Sequence, residues 1–264
     1  MVDFENISKR SVYDLQKLMH FLCSDEGCPW DKEQTHRSIR RNLLEEAYEA
    51  AEAIDNDDMV GLCEELGDIL MQVVFHSDMA EKAGAFVLDD VADAACKKLI
   101  RRHPHLFGEG KADTAEEVLQ NWENIKALEK QHKSISDDME AVARSLPSLW
   151  RAEKVQRKAA TCGFDWPEYS GALEAVDSEL HELKKAISGG TNISEEIGDL
   201  LFSLVNLARH LDIDPEEALG KSCDKFINRF AKLEQHATKL GRNLSDMSLN
   251  ELDDLYNQAK MLCN

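Results

Sequence analysis

"EELGD" at Glu64–Asp68 is written a second time as "EEIGD" at Glu195–Asp199, 131 positions later, with isoleucine in place of leucine. Each copy runs on into an apolar stretch, "ILMQVVF" (69–75) and "LLFSLVN" (200–206). Each is preceded, one helix earlier, by another acidic phrase, "LLEEAYEAAEAI" (43–54) and "AVDSELHELKKAI" (175–187). Each is followed by a Lys-x-x-x-Arg, "KLIRR" (98–102) and "KFINR" (225–229). Even the loops ahead of them echo, "GCPWD" at 27–31 and "GFDW" at 163–166. Self-similarity on this scale reads as one domain written twice, over 1–130 and 148–264, with 131–147 as the linker.

The spacing of apolar residues is helical throughout, and no run alternates long enough to make a strand. The expected fold class is all-α, with helices near 8–23, 38–55, 58–83, 88–102, 115–132, 148–160, 171–187, 193–211, 215–240 and 249–262. Several ends are legible. Thr114-x-x-Glu117 and Ser248-x-x-Glu251 read as capping boxes, Asp214-Pro215 as a capping residue before a first-turn proline, and Gly189-Gly190 as a helix stop.

Composition narrows the function. The chain has 264 residues, 51 acids against 31 bases and a net charge of -20, a field that repels nucleic acids and anionic membranes. The seven cysteines show no C-x-x-C, and the N-terminus has no apolar core of a leader peptide, so reduced thiols and a cytoplasmic setting are expected.

In so acidic a chain [DE]-x-x-[DE] arises roughly ten times by chance, so one match means little. Four pairs stand apart: Glu46/Glu49, Glu65/Asp68, Glu179/Glu182 and Glu196/Asp199. Residues at i and i+3 share a helix face, so two packed helices converge four carboxylates. The helices carrying Asp68 and Asp199 go on as apolar nearly all round, which predicts burial and little wet surface for the acids. Converging carboxylates in such a place call for a cation, and all-oxygen ligands select Mg²⁺ first and Mn²⁺ next. Gly67 and Gly198, inside these helices at a cost of about 1 kcal/mol each relative to alanine, suggest a close helix approach. Lys98/Arg102 and Lys225/Arg229, each four apart, then read as phosphate clamps.

Other chemistries fail on spacing. "GKS" at 220–222 has Pro215 where a phosphate loop needs glycine. A di-iron bundle would need Glu-x-x-His on two of its helices, and the example from Glu129 to His132 lies in the linker. His103 and His105 lack cysteine or histidine partners at zinc spacing.

"CPWDKEQTH" (28–36), the duplicated E-x-x-E and E-x-x-D, "RRHPHLFG" (101–108) and "GFDW" together resemble the MazG family of nucleoside triphosphate pyrophosphohydrolases, two-domain type. The resemblance spans essentially the whole chain. It implies helical domains completed into four-helix-type bundles by pairing, usually in a homodimer, and Mg²⁺-dependent cleavage of NTPs or dNTPs between the α and β phosphates by metal-activated water. It also implies Glu179, Glu182, Glu196 and Asp199 as metal ligands with Glu195 adjoining, Lys225 and Arg229 on the triphosphate, and Tyr256 against the nucleotide. Glu179 or Glu195 would take the water's proton. Glu46, Glu49, Glu65, Asp68, Lys98 and Arg102 would hold matching roles in the first half. The competing reading is a non-catalytic acidic helical scaffold that binds a partner protein.

Overall fold

The computed structural model describes residues 9–108, 110–130 and 134–262, so the expected Glu-x-x-His partner His132 lies outside the described residues. Among these residues the chain is helical and contains no strand, as the periodicity predicts. It divides into two compact units, 1–129 and 130–264. No helix of the described residues is long and apolar enough to cross a membrane.

The first unit contains α1 (Val12–Leu22), α2 (Arg40–Asp55), α3 (Met59–Lys82), α4 (Leu88–Arg102), the one-turn α5 (Pro104–Phe107) and α6 (Ala115–Lys130). Ser11 opens α1 with a full capping box: its amide donates to Asp14 Oδ2 at 2.9 Å, and the Asp14 amide donates to its hydroxyl at 3.3 Å. The hairpin of α2 and α3 turns over three residues, of which Asp57 is left-handed (φ 54°). Asp58 then caps α3 by accepting the amides of Val60 and Gly61 at 3.1 and 3.0 Å. Underneath, α1 lies on α3. Met19, Cys23, Ile39, Val74, Phe75 and Leu88 form the core there.

The second unit contains α7 (Ile135–Glu140), α8 (Ser148–Ala160), α9 (Tyr169–Gly189), α10 (Ile193–His210), α11 (Pro215–Lys239) and α12 (Leu249–Leu262). Within the segment expected as a linker, α7 packs against α8. The hairpin of α9 and α10 repeats that of α2 and α3, and Gly190 (φ 68°) closes α9 in the left-handed conformation that favours glycine. Asp214 caps α11 through the amides of Glu216 and Glu217, with Pro215 in the first turn. Ser248 and Glu251 close the expected box, at 2.8 and 3.4 Å. In the box at Thr114, Glu117 reaches one residue further back, to the amide of Asp113 at 2.7 Å. A second core of Leu233, Ala237 and Leu255 joins α11 to α12.

The expectation of helices buried all round needs correcting. In α3 the buried side is the second half, from Gln72 to Ala80, while in α10 only Ser203 and Val205 are buried. Ile197, Leu201 and Leu204, at four- and three-residue spacing on one face of α10, stay 43–48% exposed. A Cβ at Gly67 or Gly198 would meet no atom within 4 Å, so no neighbour in the described protomer approaches either glycine. The apolar pattern thus includes faces that stay exposed among the described residues.

Phe75, 4% exposed, is the largest residue of the first core. Phe75→Ala is expected to cost about 3–5 kcal/mol of unfolding stability in urea titration, and a loss below about 1 kcal/mol would contradict its place in that core.

Candidate functional site

The acids sit where the two hairpins put them. In the second unit Glu179 and Glu182 project from α9, and Glu195, Glu196 and Asp199 from the first two turns of α10. One carboxylate oxygen each of Glu179, Glu196 and Asp199 lies within 4.8 Å of the others. Glu182 falls outside that trio but its charge reaches it. Desolvation first, then Glu182, Asp199 and Glu196, pushes the Glu179 carboxyl above its ordinary range. Glu196 moves the same way through desolvation, Glu182, Asp199 and Glu195. Glu195 itself is exposed and acts on the cluster through its charge.

The first unit assembles the corresponding set differently. Its trio is Glu46, Glu49 and Glu65, two from α2 and one from α3, with Asp68 just outside. Desolvation, then Asp68, Glu49 and Glu65, raises Glu46; desolvation, then Glu49 and Asp68, raises Glu65. Among the described residues no lysine or arginine forms a salt bridge with any of these acids in either unit. Oxygen-only donors that raise one another's proton affinity, with no internal counter-charge, fit a hard divalent cation.

The expected phosphate clamps have different surroundings. Lys98 is exposed. Arg102 is 13% exposed and tied to Glu129, with Nε and Nη2 at 3.1 and 2.6 Å from Oε2. Arg101 holds the other oxygen at 2.6 Å, and the Arg102 guanidinium lies 4.8 Å over the Trp122 ring. These bonds hold the Glu129 carboxyl down to about 2, the Arg102 hydrogen bonds leading. In the second unit Lys225 is exposed and lines a shallow cleft with Lys221 and Lys232. Arg229 is half-buried, and its Nε has no partner among the described residues. Tyr256 is also half-buried, 5.7 Å from Phe226 and under Lys260 at 5.1 Å.

A separate pocket of about 660 Å³ opens beside Glu179 and Asp199. Its walls include Phe164, Trp166 and Phe202, and the polar side chains of Gln156 and Asn206. Lys225, Arg229 and Tyr256 do not line it. The pocket is bordered by Asp165, which accepts from Arg209 Nη1 at 2.8 Å and pairs with His210 Nε2 at 2.9 Å. "GFDW" stood out in the sequence as an echo of the first half and as part of the family resemblance, and neither reveals this network. The usable signal was the residue seven beyond the paired aspartate, Phe75 in one copy and Asn206 in the other.

The Arg209 guanidinium, chiefly through its hydrogen bonds, holds the Asp165 carboxyl at about 2 against an ordinary 3.8. A carboxyl lowered on folding stabilises above its ordinary value, and that stability is lost as pH falls from 3.8 towards 2. Asp165→Asn is expected to cost about 2 kcal/mol at neutral pH and to flatten the acid limb below pH 4, read from denaturation at several pH values. An unchanged acid limb would contradict the pairing.

The sequence pattern of the MazG nucleotide pyrophosphohydrolase domain matches residues 34–107 and 169–233. The nucleoside triphosphate pyrophosphohydrolase/pyrophosphatase MazG of Thermotoga maritima is 45% identical over 249 residues, 94% of each chain. The nucleoside triphosphate pyrophosphohydrolase of Escherichia coli K12 is 41% identical over 240 residues, 89% of this chain and 91% of that protein. An uncharacterised Bacillus subtilis protein, YabN, is 44% identical across 93% of this chain, which spans 50% of that protein.

Proposed function

The chain belongs to the MazG family of nucleotide pyrophosphohydrolases, and from that membership we propose that its second unit hydrolyses nucleoside triphosphates, NTPs or dNTPs, between the α and β phosphates. The products are a nucleoside monophosphate and pyrophosphate. The observation that carries this reading is the trio of Glu179, Glu196 and Asp199, three carboxylates within 4.8 Å without an internal counter-charge.

Glu179, Glu182, Glu196 and Asp199, with Glu195 alongside, would hold Mg²⁺, for which Mn²⁺ is the nearest substitute. When bound, the cation supplies positive charge to the triphosphate and acidity to water. Glu179 is poised to accept the proton of the attacking water, because desolvation and its acidic neighbours already raise its proton affinity. Glu195 is the other acceptor within the cluster's reach. Lys225 and Arg229 would bind phosphate oxygens, a role that the unpartnered Arg229 Nε favours. Tyr256 would flank the nucleotide.

The first unit keeps its acids, Glu46, Glu49, Glu65 and Asp68, but its arginine is already engaged. Arg102 is bound to Glu129, so a phosphate would have to displace a carboxylate that Arg101 also holds. That asymmetry favours catalysis in the second unit. Pairing of two protomers is supported by the exposed apolar face of Ile197, Leu201 and Leu204. Such a face sits poorly in water, in a protein of charge -20. The separation of Lys225, Arg229 and Tyr256 from the acid-lined pocket likewise fits a site completed by a second copy.

Pyrophosphate release from a mixed nucleotide panel with Mg²⁺ tests the reaction. Glu196→Gln is expected to lose roughly 100-fold or more, and chelation of the metal to abolish release, while Glu65→Gln stays within about threefold of wild type. No pyrophosphate from wild type with either Mg²⁺ or Mn²⁺ would sink the enzymatic reading for these substrates and restore the acidic scaffold. Light scattering tests the pairing: a dimer mass is expected, reduced to the monomer by Leu201→Glu, and a monomeric wild type at micromolar concentration would refute it.

A further inference from the structure

The last two turns of α4 carry Lys98, Arg101 and Arg102, and one carboxylate serves both arginines. Glu129, near the end of α6, accepts Arg101 Nε on one oxygen at 2.6 Å. Its other oxygen accepts Arg102 Nε at 3.1 Å and Nη2 at 2.6 Å. The Arg102 contact is enclosed, with the arginine side chain 13% and the glutamate 16% exposed, and the guanidinium lies 4.8 Å over the Trp122 ring. A guanidinium meets carboxylate and phosphate oxygens through the same fork of N–H groups. Glu129 therefore occupies Arg102 as a phosphate would.

The repeat shows what this occupant replaces. Arg229 ends the second Lys-x-x-x-Arg as Arg102 ends the first, and its Nε has no partner among the described residues. The second copy places Tyr256 27 residues after Arg229, and the first places Glu129 27 residues after Arg102, each on the last helix of its unit. Where one copy offers an aromatic ring, the other supplies an acid that fills the arginine.

What fills a fork can be exchanged for something that fills it better. Glu129 brings a single charge and divides it between two guanidinium groups, while Lys98, one turn before Arg102 on the same helix face, stays exposed. Being part of the same chain, Glu129 competes at an effective concentration on the order of millimolar. A ligand displaces it by carrying more charge and more acceptor oxygens than one carboxylate. That requirement selects a chain of two or three linked phosphates over a single phosphate.

We propose that the first unit holds a second binding site, for a phosphoanhydride chain, that Glu129 masks: the ligand's phosphates take Arg101 and Arg102, and the end of α6 is released. The inference rests on the reading of the Lys-x-x-x-Arg pairs as phosphate clamps. It assigns binding to the first unit without hydrolysis, and it makes α6 the element whose release reports occupancy.

Calorimetry with Mg²⁺ and either inorganic pyrophosphate or ATP tests this in full-length Arg229→Ala protein, from which the second clamp is missing. Adding Glu129→Ala is expected to tighten both ligands at least tenfold, and adding Arg102→Ala as well to cancel the gain. Glu129→Gln, which keeps a hydrogen-bond acceptor for the arginines, is expected to give a smaller gain in the same direction, and thermal melts report that each variant is folded. Saturating pyrophosphate is also expected to speed hydrogen exchange in 115–130 at least threefold while Glu129 is present. Affinities within twofold of the Arg229→Ala protein in the folded Glu129 variants would overturn the masked site, as would a gain confined to ATP. Equal gains for the two ligands support a site that reads phosphates from either source, and a larger gain for ATP supports the nucleotide as the source. If Arg229→Ala alone binds pyrophosphate as wild type does, the clamp reading fails in the second unit, and the Glu129 variants still decide the first. A gain without pyrophosphate release from wild type upholds the masked site and overturns the hydrolytic reading; release without a gain does the reverse.

Discussion

Carboxylates that repel one another are held at close range in each unit, and the hairpins beneath them are built to resist that repulsion. Glu46 and Glu65, Glu179 and Glu196 all have raised proton affinity because water is partly excluded and, after that, because their neighbours are negative. Nothing in the acids themselves keeps them together. The work is done by turns of about three residues between the paired helices, where Asp57 in one loop and Gly190 and Asn192 in the other accept the left-handed backbone that so abrupt a reversal needs. The buried residues of α2 and of α9 are alanines, Ala50 and Ala53, Ala172 and Ala186, small enough for helices to lie close. Folding the apo protein therefore assembles a site of high potential energy for a ligand that arrives afterwards.

The two units solve this with unequal interiors. The first sets the solid cluster of Met19, Ile39, Val74 and Phe75 under its hairpin. The second keeps its tight core between α11 and α12 and leaves a pocket beside its acids. The acid pattern stands in both copies, while positions such as Phe75 and Asn206 differ between them within matching helices.

How much of this was legible from sequence follows from the range of each interaction. Helices and caps depend on neighbours within four residues, so the boundaries of α3, α10 and α11 and the stop at Gly190 could be read directly. The acid clusters were readable because i and i+3 fix a common face and the repeat supplied each face with a partner. What escaped depends on contacts that no periodicity encodes. Arg102 was assigned a phosphate, yet it meets Glu129, 27 residues further on. The burial expected of α10 follows from its apolar composition, yet among the described residues only Ser203 and Val205 of that helix are buried. Gly67 and Gly198 looked like contact points, and within the protomer they face open space.

The ion pair between Arg102 and Glu129 also bears on how the protein can be taken apart. Contact density alone puts the limit of the first unit near residue 129. The charges make that limit abrupt, since both oxygens of Glu129 are held by Arg101 and Arg102. A gene fragment ending a few codons earlier would remove the carboxylate that a largely enclosed guanidinium holds beside Trp122. One that includes Glu129 keeps both arginines paired with its carboxylate. For this chain the edge of a domain is an electrostatic boundary, and the choice of stop codon decides whether the isolated half begins life with a defect.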